Sequence, residues 1–314
     1  MLDRESTFAD PAIVKLLQTR FIPVAIDQAY QRRQKDNEGK FYQKIANQGP
    51  RKVGRGTTQG LYTADASGKL LAFTNNRGAD RVLGMINGSL EKHRPVKVTA
   101  IGKGTPDAQY NPKPPKGGLV VRVTSKILDG YQEPENEFHR IFQTSLGRDN
   151  LWISANEHAA LARGQLSQSL LKRLARFHLV DNTRGEPPMW RENEIQKLQG
   201  TLRSGQLRAT VQLKTAKGDR GYEVELLGRI ETKGGKVTRL DVVAKGEFWG
   251  EGTYTRNAPK GRFPLAIAFT LADGKDAADT IPPPGLPRLV AGVHSMRSSN
   301  DCRKTACQRP GKVP

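Results

Sequence analysis

Residues 1–27 read MLDRESTFADPAIVKLLQTRFIPVAID, the tail of one element, then a helix, then a strand. Asp10 suits a helix N-cap and Pro11 the first helical position, where a missing N–H costs nothing. Ile13, Val14, Leu16 and Leu17 then recur at helical spacing and leave Lys15 and Gln18 for water. Phe21, Ile22, Val24 and Ile26 form a β-branched and aromatic run, in which Pro23 withholds one ladder donor and so places the strand at a sheet edge.

Further along, residues 28–40 are polar and lead into a second helix. Asp36 or Asn37 caps it, and Phe41, Tyr42, Ile45 and Ala46 share one face before Asn47, Gln48, Gly49 and Pro50 end it. Residues 61–64 and 70–74 predict a hairpin whose turn, Asp65, Ala66, Ser67 and Gly68, ends on the residue best suited to positive φ. A last helix over residues 78–92 brings Val82, Leu83, Met85, Ile86 and Leu90 onto that sheet.

The run Arg4, Glu5, Ser6, Thr7, Phe8, followed by the short helix and the 21–27 strand, resembles the thioredoxin-like domain of the spermatogenesis-associated thioredoxin-like family and its bacterial relatives. The resemblance covers about residues 1–93 and implies a thioredoxin-type fold without its first strand. In the family a Cys-containing turn stands immediately before the segment matched by residues 1–8, and this chain starts after it. The absent strand is central there, between the strands matched by residues 21–26 and 61–64. Each buried backbone group left unpaired costs about 1–3 kcal/mol, so the vacancy is expected to close. Direct pairing of those two strands would do it, as would a strand borrowed from residues 119–128 or from a partner chain. The family's cis-proline before the third strand is also replaced, by Gly60 in the run Thr57, Thr58, Gln59, Gly60, Leu61. Lacking both hallmarks, the resemblance implies a binding or interaction module, or the remnant of a thiol-disulfide oxidoreductase, that does not reduce an insulin-type disulfide. Thr58, Gln59 and Gly60 are then a candidate binding loop, with a protein or peptide as partner.

Residues 102–118, GKGTPDAQYNPKPPKGG, concentrate proline, glycine and lysine without apolar periodicity and read as a linker. They divide the chain into an incomplete thioredoxin-like α/β domain at 1–101, an α+β domain at 119–284 and a basic disordered tail at 285–314. Residues 119–128 read as a strand open to either domain. Ser154 and Glu157 have capping-box spacing. Gly164 ends that helix and Ser167 caps the next, which turns Leu170, Leu171, Leu174 and Phe177 inward. The rigid, charged turn at 181–188, next to Trp190, suits a binding loop, with Asp181, Arg184 and Trp190 as its candidate residues. After it, Leu207, Ala209, Val211 and Leu213 alternate with polar residues. Tyr222, Val224, Leu226, Gly228 and Ile230 repeat the pattern, as do Leu240, Val242 and Ala244, and then Phe263, Leu265, Ile267, Phe269 and Leu271. This predicts an antiparallel meander with one buried face, covered by the helices at 155–179.

The formal net charge of +20 and the pI near 10.1 imply attraction to nucleic acid or another anionic surface. With no zinc-finger spacing, RNP-like strand or helix-turn-helix, such binding would be sequence-independent and would collapse with salt. His139, His158 and His178 lack ligand spacing, and the two cysteines, Cys302 and Cys307, stand apart from any dithiol motif. No cofactor and no metal are implied, and catalytic residues are not assigned. No run approaches the ~20 apolar residues of a membrane span. Met1 opens on no secretory leader, which an upstream segment could have carried, so localisation does not follow, and neither does oligomeric state. Two functions therefore stand side by side: a non-redox thioredoxin-fold binding module, and a basic protein that binds nucleic acid or an anionic surface.

Overall fold

The computed structural model describes residues 6–76, 78–102 and 104–284, without the side chains of Glu137 and Phe138; the basic tail with Cys302 and Cys307 lies outside them. Asp10 starts helix α1 (Pro11–Arg20), its carboxylate accepting from the N–H groups of Ala12 and Ile13 at 2.9 and 3.1 Å. Ile13 is fully buried, while Val14, Leu16 and Leu17 are half-buried. The expected strand does not follow. Residues 21–27 are extended but pair with no strand among the described residues, and Ile22 and Val24 are 91% and 75% exposed.

Asp27 caps helix α2 (Gln28–Gln31) and Asp36 caps helix α3 (Asn37–Ala46). Strands β1 (Leu61–Ala64) and β2 (Leu70–Thr74) form the expected hairpin. Gly68, at φ +82°, closes its turn against the Phe41 ring, where a side chain would have no room. Helix α4 (Ala79–Lys92) lays Val82 and Ile86 on Ile13, and Leu16, Leu17, Phe21 and Leu61 pack around them. The two-stranded sheet stands alone, and neither of the expected pairings, with residues 21–26 or with residues 119–128, forms. Pro23 removes one donor from the first of these, and the second is claimed by a larger sheet.

The 102–118 segment, read as a linker, is fastened to the start of α3. Asp36, besides capping Gly39 N–H at 2.8 Å, accepts from Asp107 N–H at 2.9 Å; Gln34 donates to Tyr110 O at 2.8 Å and Asn37 to Gly102 O at 2.7 Å. Burial raises the Asp36 carboxyl pKa, but the N–H groups of Asp107 and Gly39 outweigh it and hold the group below the usual aspartate range.

Beyond the linker come β3 (Leu119–Ile127), α5 (Glu137–Thr144), β4 (Gly147–Ile153), α6 (Ala155–Ala162) and α7 (Gln168–His178). The chain then runs through β5 (Ile195–Arg203), β6 (Gln206–Lys214), β7 (Gly221–Lys233), β8 (Lys236–Trp249) and β9 (Arg262–Leu271). The seven strands make one antiparallel sheet in the order β4-β3-β9-β8-β7-β6-β5. The four alternating runs of the sequence are its centre, with Val211, Tyr222, Leu226, Ala244, Leu265 and Ile267 at full burial. Ser154 and Glu157 form the capping box of α6, and Ser167 caps α7. Leu161, Leu170, Leu171 and Leu174 from these helices join the core of the sheet as its cover, with Phe177 half-buried at the margin.

Helix α7 meets both edges of that sheet. Arg173 Nη2 donates to Trp152 O in β4 at 3.0 Å, and Leu171 packs where Gly200 of β5 has no Cβ. Strands spaced by ~4.8 Å would set the edges of a flat seven-stranded sheet ~29 Å apart, while one helix is only ~10–12 Å across. The sheet therefore curls around its helices. The outer side of β4 is buried too, because Asn150 donates to the carbonyls of Ala278 and Ile281 at 2.6 and 3.0 Å.

Candidate functional site

Charge divides the two halves unequally. Residues 6–118 carry 19 Lys and Arg against 8 Asp and Glu, whereas residues 119–284 carry 25 against 20. Among the described residues every ion pair lies in the second half, including Arg122–Asp279, Arg173–Glu157, Arg184–Asp181 and Arg262–Glu223. Five of the eight acids of the first half are held by backbone instead. Asp10, Asp27 and Asp36 accept from helix N–H groups, Asp65 from Ser67 and Lys69, and Asp107 from Lys35 and Gln109. A carboxylate fixed over a helix N-terminus is stabilised where it stands and does not swing out to a distant cation.

Several of the unpaired cations meet at one loop. Residues 50–60 leave α3, pass Arg51, Lys52 and Arg55, and return to β1 at Leu61. Gly54 and Gly56 take positive φ, +85° and +108°, which lets the backbone bend sharply between the basic residues. Its two ends are pinned. Val53 N–H donates to Asn47 Oδ1 at 2.9 Å, and at the other end Thr58 is fully buried between Gln28, Tyr42 and Tyr62. Burial, with Tyr42 beside it, pushes the Tyr62 phenol up to about 12, so it stays a donor to Thr58 O at neutral pH.

Arg32 of the α2 end reaches across and donates to Gly56 O. Its pKa is lowered, first by burial and then by the neighbouring Arg33. With its amide oriented to suit its neighbours, Asn75 accepts from Arg51 at 2.6 Å and donates to Gln59 O at 3.3 Å. Thus Arg51, Lys52 and Arg55 lie on a pinned, glycine-containing loop that Arg32 reaches, and none of these four pairs with a carboxylate among the described residues. The loop can offer guanidinium and ammonium donors to an anion without first breaking an ion pair.

Of the residues singled out by sequence, Thr58, Gln59 and Gly60 form the return of this loop. Thr58 is structural, Gln59 is exposed, and a side chain at Gly60 would run into the Phe73 ring. Asp181, Arg184 and Trp190 are not at a surface. Arg184 is buried with Asp181, and it also donates to Tyr131 Oη at 2.9 Å and to Thr255 O at 3.1 Å. Trp190 is buried with its indole N–H on Leu179 O at 2.7 Å and the Arg220 guanidinium stacked 3.9 Å from its ring. Asp181, Arg184 and Trp190 brace this turn from within, while Glu186 and Pro188 of the same turn are exposed. The cationic residues were all legible as letters, but no local pattern says which Lys or Arg lacks a carboxylate.

Elsewhere, a cleft of about 340 Å³ between the end of α6 and the β5–β6 turn is lined by Arg229 and Glu231, which pair with each other at 2.8 Å. Among the described residues no grouping of His, Cys, Asp and Glu could hold a metal ion, and no helix is long and apolar enough to cross a membrane. No protein-family model, no curated protein and no solved structure matches the chain.

Proposed function

We propose that the first half of the chain is a non-catalytic binding module for an anionic ligand, carried on a thioredoxin-like scaffold. The observation that carries this reading is the set Arg32, Arg51, Lys52 and Arg55 around the pinned 50–60 loop, without carboxylate partners among the described residues. The order helix, extended run, helix, hairpin, helix favours the thioredoxin-like scaffold, on which the return of the loop at Gln59 and Gly60 stands in the place of the family's cis-proline. No cysteine lies within residues 6–284, so thiol exchange has no nucleophile there. The basic, anion-binding reading and the binding-module reading thus meet in one site.

The test is retention of the full chain on a polyanion matrix and titration with a labelled polyanion over a range of salt. Binding should fall steeply with salt, since released counterions supply the affinity. Arg51→Glu with Arg55→Glu should weaken it about tenfold or more and flatten the salt dependence, while Arg229→Ala, in the paired cleft of the second half, should leave it unchanged. Equal loss in both variants would mean that net charge, and not this loop, binds.

A further inference from the structure

Residues 21–26 lead into the short helix that holds that cationic loop. Gln28 and Arg32, which follow them directly, are the residues that hold Thr58 and Gly56. The segment is extended, uncharged and fully outfitted as a strand, yet among the described residues 22–26 make no backbone hydrogen bond. Ile22, Val24 and Ile26 are exposed together. Backbone polar groups and β-branched side chains left open in this way form a template for an incoming strand.

The two edges of the segment differ. In an extended strand alternate residues present N–H and C=O to the same side. The edge of Ile22, Val24 and Ile26 has all its donors, whereas the edge of Phe21, Pro23 and Ala25 lacks one at Pro23. Charge then selects the occupant. The segment is preceded by Lys15 and Arg20 and followed by Asp27, whose carboxylate accepts from Ala29 N–H, and then by Arg32 and Arg33; none of these four cations forms an ion pair with a carboxylate among the described residues. A second copy of this surface would bring like charges together.

We propose that the Ile22–Val24–Ile26 edge receives an added β-strand from an acidic polypeptide, whose carboxylates reach the Arg32, Arg51 and Arg55 loop while its backbone completes the ladder. This rests on the anion-binding reading above and names its ligand as polypeptide. The probe is a labelled peptide of three glutamates followed by alternating valine and threonine, oriented for antiparallel addition with its acidic end toward residue 27. It is compared with the same peptide N-methylated at alternate residues, with a version carrying lysines for glutamates, and with a single-stranded oligonucleotide. All are titrated against the full chain and against Val24→Pro.

The expected result is binding of the acidic peptide that drops about tenfold or more on N-methylation, on charge reversal and in Val24→Pro. Hydrogen exchange should slow at the amides of Ile22, Val24 and Ile26 and not at Phe21 or Ala25. Equal binding of the N-methylated peptide overturns strand addition and leaves the anion site standing. An oligonucleotide that binds more tightly than the peptide, with no protection at those three amides, overturns it in favour of nucleic acid. Failure of both acidic peptide and oligonucleotide to bind at low salt removes the anion-binding reading together with this one.

Discussion

The two halves of this chain use their charges in opposite ways. In residues 119–284 cations such as Arg122, Arg173, Arg239 and Arg262 pair with carboxylates along the sheet and helices, and the pair at Arg184 is taken fully into the interior. In residues 6–118 most of the acids serve helix caps and turns, and the cations form no ion pair among the described residues. The difference is not one of composition alone. A long antiparallel sheet can set opposite charges directly across neighbouring strands, as Glu231 and Arg239 are, 3.4 Å apart. Short helices joined by turns demand local caps, and aspartate is what supplies them. The lesson is that a free positive surface arises where acids are needed for the backbone.

The sharpest way to break this comparison is to remove a cation from each half. Arg184→Ala leaves Asp181 buried without its partner and frees Thr255 O, so it should cost about 3–5 kcal/mol in urea unfolding. Arg55→Ala, at an exposed and unpaired cation, should stay within about 0.5 kcal/mol. A loss under 1 kcal/mol for Arg184→Ala would mean that the brace is dispensable.

Caps come next in size. Asp36→Ala removes the cap of α3 and the acceptor of Asp107 N–H, for about 1–2 kcal/mol, and should also loosen residues 102–111 as read by proteolysis. Ser154→Ala should cost about 1 kcal/mol in the second half with no such local opening. If Asp36→Ala leaves the 102–111 segment as resistant as before, the segment is held by something other than this carboxylate.

Acid should separate the halves more gently. Burial works against the Glu157 carboxylate, but the Arg173 guanidinium at 2.8 Å and the Ser154 cap more than compensate and set its pKa below the ordinary glutamate range. The Asp36 carboxyl is depressed as well, by backbone N–H groups. Both are lower in the folded state than in the unfolded one. Their stabilisation is therefore complete above the unfolded carboxylate range and is lost as pH falls through it and below. Glu157→Gln should flatten the acid-side decline of the second half, and Asp36→Asn that of the first, both followed by thermal unfolding between neutral pH and pH 3. A decline unchanged in both variants would place acid sensitivity in other carboxylates.

Much of the architecture was readable without coordinates, though not evenly. The four alternating runs from Leu207 to Leu271, the caps at Asp10, Asp36, Ser154 and Ser167, and the hairpin ending on Gly68 all depend on nearest neighbours, and each was legible. Two sheet strands were not. In β4 both faces are buried, Leu151 by the core and Asn150 by residues 277–281, so alternation is lost. In β5 the inward position Gly200 is a gap that Leu171 fills from a helix, and the pattern breaks there. Residues 21–26 failed in the other direction. Their composition is that of a strand, but a strand exists only when another backbone meets it.

The same limit governs the candidate site. The sequence by itself determined which residues are charged, which prefer to cap, and which alternate, because those properties belong to single residues and short windows. Only the tertiary structure decided that Arg184 is walled in while Arg55 is open, and that the turn after Asp181 is a brace while the loop after Pro50 is a surface. Burial and ion pairing depend on groups brought together from far along the chain, as Thr255 is to Arg184 and Gly56 to Arg32, and no local pattern encodes those meetings.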